Sequence, residues 1–238
     1  GMKDIKFIAD EAQDGAAGHE SGAYFVLKDS PIKKVEDLKG KVVADVGAGS
    51  AVDIAIRAML KKHKLETPRD YTIVEAAFPN MESLLESKKA DLIAAVQPFT
   101  LKPSFIQNTR PLFTSADALG GATQFVVWTA HADYIKKNRA VLVDMFEDAI
   151  RGTRWLTDPK NHGAVVQIAA QITKQPPEQL QYVFSKTDLY RDPNMMPNVP
   201  NLQRAVDAQY EVGYLKQKLD VKPYADLSMV KEAAARIK

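Results

Sequence analysis

Lys41-Val42-Val43-Ala44-Asp45-Val46-Gly47-Ala48-Gly49-Ser50 is the stretch that decides the fold class. Its first six residues read as a buried strand, bounded by Gly40 and by the glycines that follow. Beyond Ser50, the residues Val52, Ala55, Ile56, Met59 and Leu60 recur at helical spacing, which predicts an amphipathic helix from Ser50 to Leu65. Gly47 and Gly49 let the backbone turn tightly between strand and helix, and Ser50 stands where an N-cap hydroxyl satisfies a free helix amide. Such a turn points N–H groups outward, and a helix N-terminus favours negative charge by roughly 0.3–1 kcal/mol at exposed sites. The turn is therefore a candidate seat for an anionic or strongly polar ligand. The same signature also occurs in α/β units that bind nothing.

Known loop motifs fit less well. Gly47-x-Gly49 opens a helix and Glu75 ends the next strand, as in a dinucleotide site, but Val52 holds the third glycine position and would crowd the helix against the sheet. No Gly-Lys-Ser/Thr follows, which excludes a phosphate loop. Ser50 lies between Ala48 and Val52 where a nucleophile elbow has glycines.

Outward from this segment, Tyr71–Glu75 and Asp91–Ala95 read as further strands separated by helices, and the alternation predicts a parallel, helix-covered sheet. Upstream, Asp4 to Ala9 reads as a short strand, Glu11 to Gly22 as a polar loop, and Ala23–Leu27 as a strand stopped by Asp29-Ser30-Pro31. A brief helical turn spans Val35 to Leu38. From Thr123 the character changes: Gln124–Thr129 predicts one strand, and helices are expected at Leu142–Thr153, His162–Ile172, Pro177–Phe184 and Leu202–Leu219. Arg191–Pro200 is a proline-rich connection. Trp128 and Trp155, with apolar neighbours, read as core.

The chain has 238 residues, 45% apolar and 26% charged, enough for one large or two small domains. A formal charge of +2 and the lack of any long basic run argue against a nucleic-acid partner. With no cysteine there is no thiolate nucleophile, cysteine metal site or disulfide. The four histidines, at 19, 63, 131 and 162, show no metal-ligand spacing, so neither a metal nor a cofactor is expected. No stretch approaches the roughly 20 apolar residues of a membrane span, and no apolar signal core begins the chain. Gly1 ahead of Met2 reads as the scar of a removed tag.

Tyr24 to Ile32 followed by Val35 to Lys41, the Gly49-Ser50 helix start, Phe78-Pro79-Asn80-Met81, Asp91, Pro98-Phe99, Phe125 to Trp128, Trp155 to Pro159 and Ala225-Asp226-Leu227 together resemble the substrate-binding proteins of ABC importers. The branch is the one for nitrate, taurine, aliphatic sulfonates and thiamine-precursor pyrimidines. The resemblance implies an α/β, type II periplasmic-binding-protein-like fold with one complete βα lobe and a helix-rich, partial first lobe. Residues 1–22 would be a hinge and lobe-one remnant, 23–119 lobe two, and 120–238 the return into lobe one. It further implies a small-molecule solute, a membrane permease as partner and a periplasmic location. Relatives carry additional βα units ahead of the segment resembling Ile5–Ala9, and an incomplete lobe would invite homodimerisation. Two other readings remain open: a ligand-free remnant with an interaction role, and an enzyme related to thiamine-pyrimidine synthesis, whose cysteine-rich motif is missing here.

Carried over residue by residue, the resemblance places Gly49, Ser50 and Ala51 at the ligand. Phe78 and Asn80 end the second strand of the lobe, where Asn80 offers a donor and an acceptor but reads equally as a helix N-cap. Gln97 stands where relatives often have an acid, which suits a neutral or anionic solute. Phe99 is positioned to stack on a flat ring or to fill core. Glu20 and Ser21, near the hinge, complete the candidate set.

Overall fold

The computed structural model describes residues 4–237. In chain order its strands are β1 (Ile5–Asp14), β2 (Ala23–Leu27), β3 (Lys41–Asp45), β4 (Tyr71–Glu75), β5 (Leu92–Ala95), β6 (Thr109–Thr114) and β7 (Thr123–His131). The helices are α1 (Ala51–Lys62), α2 (Phe78–Glu86), α3 (Pro103–Asn108), α4 (Ser115–Leu119), α5 (Ala132–Thr157), α6 (His162–Thr173), α7 (Val199–Glu211) and α8 (Ser228–Arg236). Two compact units result. The first comprises Gly1–Glu20, Thr123–Val206 and Leu219–Lys238; the second comprises Ser21–Ala122 and Asp207–Lys218. The segment 207–218 thus groups with the second unit, apart from the rest of 120–238. Among the described residues no helix is long and apolar enough to cross a membrane.

The second unit is a five-stranded sheet in the order β4-β3-β5-β2-β6. β3 pairs in parallel with β4 and β5, whereas β2 runs antiparallel to both β5 and β6, so the sheet is mixed and only its βα part is parallel. Alternation along the central strands sorts side chains to opposite faces. Val43 and Leu92 pack with Ile56 and Leu60 of α1 on one face, and Ala44 and Ile93 pack with Met81, Leu85 and Phe105 on the other. Each such fully buried large side chain contributes about 1.5–3 kcal/mol relative to an exposed one. Strand β6 was not foreseen because Pro111 interrupts the stretch, and proline is tolerated there because β6 is an edge strand.

In the first unit, β1 pairs antiparallel with β7. β1 is longer than the strand expected over Asp4–Ala9, because Ala12, Gln13 and Asp14 continue the ladder against Val126, Gln124 and Thr123. The core joins Ile8 and Ala9 of β1 to Val143, Phe146 and Ile150 of α5 and Met229, Val230 and Ala233 of α8. Buried Asp10 ties the proline-rich connection to this sheet: its carboxylate accepts from Gln124 Nε2 at 2.5 Å and from the Asp192 amide at 2.8 Å. Burial raises the Asp10 pKa despite these bonds. Trp128 and Trp155 are not core, being 39% and 41% exposed.

Two expected helices are shorter. Pro177–Leu180 is only a 3₁₀ turn. The helical periodicity across Leu202–Leu219 hides a stop at Gly213, whose φ of +92° is a left-handed conformation open to glycine. α7 consequently ends at Glu211, and the residues after it fold back toward α1 within the second unit.

Candidate functional site

Parallel strands lying side by side bring their carboxyl ends to one edge, where ligands of open α/β sheets tend to bind. In the second unit this edge collects three connections: 46–50 after β3, 76–77 after β4 and 96–98 after β5. Because β2 is antiparallel to β5, with Ala23 opposite Ala95, Ser21 reaches the same edge. The structure therefore brings together Gly49, Ser50, Ala51, Phe78, Asn80, Gln97, Phe99 and Ser21. Glu20 belongs to the first unit, where its amide donates to the Lys186 carbonyl at 3.0 Å. A recess of about 600 Å³ lined by Leu27, Lys28, Asp29, Glu86, Gln107 and Asn108 lies at the opposite end of the sheet.

Ser50 is the N-cap of α1, its Oγ accepting from the Asp53 amide at 3.1 Å. The amides before it are engaged by the chain's own acids. Gly47 N–H donates to Asp45 Oδ1 in a short contact, Ala48 N–H to Glu75 Oε1 at 3.3 Å, and Gly49 N–H to Asp53 Oδ2 at 2.9 Å. Ser50 N–H closes the turn onto the Gly47 carbonyl at 3.1 Å. The expected open anion seat is thus largely filled from within, which corrects the reading drawn from the Gly-rich turn alone. Favourable interaction of negative charge with the start of α1 is supplied by Asp53 itself.

Asp53 is wholly buried and also accepts from Arg57 Nε at 2.6 Å and from the Tyr214 hydroxyl. Burial works against its charge, but hydrogen bonds from Tyr214, the Gly49 amide and Arg57 prevail and hold its pKa below 3.8. Asp45, 1% exposed, has the reverse balance: burial first, then the neighbouring Asp53 and Glu75 charges, push its carboxyl up to about 6 against the Gly47 hydrogen bond. Its Oδ2 is buried with no hydrogen-bond donor among the described residues. Tyr214 lies over the turn, its Cε1 3.8 Å from where a Gly49 Cβ would stand, and Arg57 packs 5.7 Å from the Tyr214 ring centre. Burial and Asp53 raise the Tyr214 hydroxyl pKa, and burial pushes Tyr71 up to about 12.

The remaining positions differ in what they offer. Asn80 is exposed and occupies the third position of α2, whose N-cap is Ala77, so the capping reading fails. Phe78 is half-buried and packs on both cores of the sheet. Gln97 is half-buried, and Phe99 begins a 3₁₀ turn with Lys102 Nζ 5.7 Å from its ring centre. Ser21 Oγ accepts from the Ala116 amide at 3.0 Å, a structural role. Asp45, Asp53, Arg57 and Tyr214 were not singled out from the sequence. Asp53 had a signal, standing three residues after a cap serine; Tyr214 had none, being 161 residues from its partner. No group of three or more His, Cys, Asp or Glu among the described residues is arranged to hold a metal ion.

Residues 16–162 match the sequence profile of the family described as NMT1/THI5 like. Comparison with curated proteins found no match. Among solved structures, the alkanesulfonate-binding protein SsuA from Xanthomonas axonopodis pv. citri, bound to MOPS, is similar with a TM-score of 0.67 at 17% identity, over 94% of this chain and 74% of that one. The periplasmic nitrate-binding protein NrtA from Synechocystis PCC 6803 gives 0.65 at 15% identity, over 98% and 68%. The desulfurization enzyme DSZB gives 0.65 at 15% identity, over 99% and 80%. At these identities the likeness is one of fold, and the fold is type II periplasmic-binding-protein-like.

Proposed function

The chain belongs to the NMT1/THI5-like family, and from that premise we propose that it is a non-enzymatic solute-binding component of an ABC importer, working outside the cytoplasm with a membrane permease. Its solute would be a small organic or anionic molecule of the sulfonate, taurine, nitrate or pyrimidine-like kind. The observation that carries this reading is the shared strand-end edge of the second unit, where Ser50, Asn80, Gln97 and Phe99 converge from three connections. Asn80 and Gln97 supply neutral donors and acceptors, Phe99 a ring face, and the exposed Ala51 the start of α1. Binding proteins with alkanesulfonate and nitrate ligands among its structural relatives support the same reading.

A catalytic role is the second reading, favoured by the likeness to DSZB. A thermal-shift screen of taurine, alkanesulfonates, nitrate, bicarbonate and thiamine-related pyrimidines tests the first. A solute at about 100 times its Kd stabilises by about 2.7 kcal/mol, a clear rise in Tm. Dose-dependent stabilisation by one class, with the solute recovered unchanged, supports a receptor; its chemical conversion supports the enzyme, and a flat response contradicts both.

A further inference from the structure

We propose that the outer edge of β7, with the flank of α5 above it, is the interface for a second copy of this chain. The copies pair β7 against β7, antiparallel about a two-fold axis at Val127, and so join their two-stranded sheets into one continuous sheet. In the first unit β1 and β7 form a sheet by themselves. The free side of β1 is closed by other segments of the same unit: Asp10 N–H donates to the Met195 carbonyl at 2.8 Å, Gln13 N–H to the Tyr190 carbonyl at 2.8 Å, and Asp226 N–H to the Phe7 carbonyl at 3.0 Å. β7 has no such cover: among the described residues, no backbone group outside β1 bonds to the main chain of 124–129. It also lacks the devices that keep edge strands from pairing. β6, an edge of the other sheet, carries Arg110 and Pro111, whereas Thr123–His131 holds no proline, lysine, arginine or carboxylate.

The helix layer is open on the same side. α8 packs over β1 and α5 over β7, where Phe146 meets Trp128 edge-on. One flank of α5 is tied to α8 by Arg139, which donates to Glu232 at 2.6 Å. Val141 lies about 200° around the helix from Arg139, and Met145 one turn further, so both exposed side chains face away from α8, above the outer edge of β7. A second copy fits this face by symmetry. Full overlap of the strand sets Val127 opposite itself and Val126 opposite the partner's Trp128, an aromatic against a β-branched side chain, which is a favourable cross-strand pair. A two-fold axis brings any charge on the strand close to its own copy, and β7 has none to bring. The exposed parts of Phe125, Val126, Trp128, Val141 and Met145 amount to roughly 400 Å². A standard interface buries about 800 Å² per partner, a little over half of it apolar, so the face has the apolar area that a stable dimer needs.

The pairing is independent of the solute-binding reading, and its test uses no ligand. Sedimentation equilibrium of the wild type between about 5 and about 100 μM should show a dimer. Phe125→Lys and Val141→Lys, both at exposed sites, should each weaken self-association at least about tenfold with an unchanged dichroism spectrum. Ile172→Lys, at an exposed site on α6, should leave it unaltered. Because the chain has no cysteine, Val127→Cys should oxidise in air to a disulfide-linked dimer. Phe125→Cys, about 13 Å from its own copy in this register, should not. A monomeric wild type at about 100 μM would overturn the proposal, whether its β7 edge is open to solvent or covered by another segment of the chain. So would a dimer that survives both lysine variants, or one that cross-links through Phe125→Cys and not through Val127→Cys.

Discussion

Replacing Asp45 by asparagine should stabilise the protein at neutral pH, against the usual expectation for a change at a buried site. Asparagine keeps the oxygen that accepts from the Gly47 amide and places an NH₂ where the carboxylate oxygen lacks a donor, facing the Asp53 carboxylate. In the folded protein the Asp45 pKa is raised from 3.8 to about 6. The sign follows from linkage: below the unfolded value both states are neutral and nothing is lost, and as pH rises through the folded value the buried charge costs stability. The rise from 3.8 to about 6 sets a ceiling of about 3 kcal/mol, and sharing of the proton with Asp53 lowers it to about 1–3 kcal/mol. Urea titrations followed by far-ultraviolet circular dichroism, from about pH 4 to about pH 8, measure the difference between variant and wild type. It should grow in favour of Asp45→Asn by about 1–3 kcal/mol across that window. A difference that does not change with pH, or a variant losing more than about 1 kcal/mol at neutral pH, would refute the placement of an uncompensated carboxylate beneath the turn.

Tyr214→Phe removes the hydroxyl that donates to the charged Asp53, and should cost about 1.5–3 kcal/mol at neutral pH by urea unfolding. Asp53 has a depressed pKa, so its stabilising contribution is present above 3.8 and lost as pH falls; the Tyr214→Phe deficit should therefore shrink in acid. Ser50→Ala deletes the α1 cap and should cost about 1 kcal/mol, read as a lower urea midpoint with unchanged slope. Phe146→Ala opens a cavity in the first unit worth about 3–5 kcal/mol, and the emission of Trp128, whose ring lies edge-on 6.2 Å from Phe146, should change with it.

The βα part of the fold was legible because its signals are local. Lys41–Asp45 and Tyr71–Glu75 are apolar runs with turn residues at their ends, and the α1 stripe and Ser50 cap lie within one window. What the window could not hold was lost. β6 was hidden by its proline, and the antiparallel placement of β2 depends on pairing with residues about 70 to 90 positions away. The site was half legible: the glycines and Ser50 announce a helix start, and Asp45 and Asp53, which take the Gly47 and Gly49 amides, lie in the same window, whereas the acceptor of the Ala48 amide, Glu75, comes from β4. Glu75 and Tyr214 reach the turn only through the tertiary fold, Glu75 accepting from the Ala48 amide and Tyr214 donating to Asp53. Trp128 and Trp155 were misjudged because apolar neighbours in sequence do not fix which side of a strand or helix is covered.

The central claim is that a small solute binds at the strand-end edge of the second unit. Its most direct test is isothermal titration of the best solute from the thermal-shift panel into the wild type and into the Asn80→Ala/Gln97→Ala double variant. Neither side chain is fully buried, so the variant should fold with an unchanged dichroism spectrum. Two lost polar contacts at about 0.5–1.5 kcal/mol each predict binding weakened by roughly five- to 150-fold. A wild-type isotherm with that loss in the variant is the predicted result; equal affinity in both proteins, or no heat from any solute, would contradict the account.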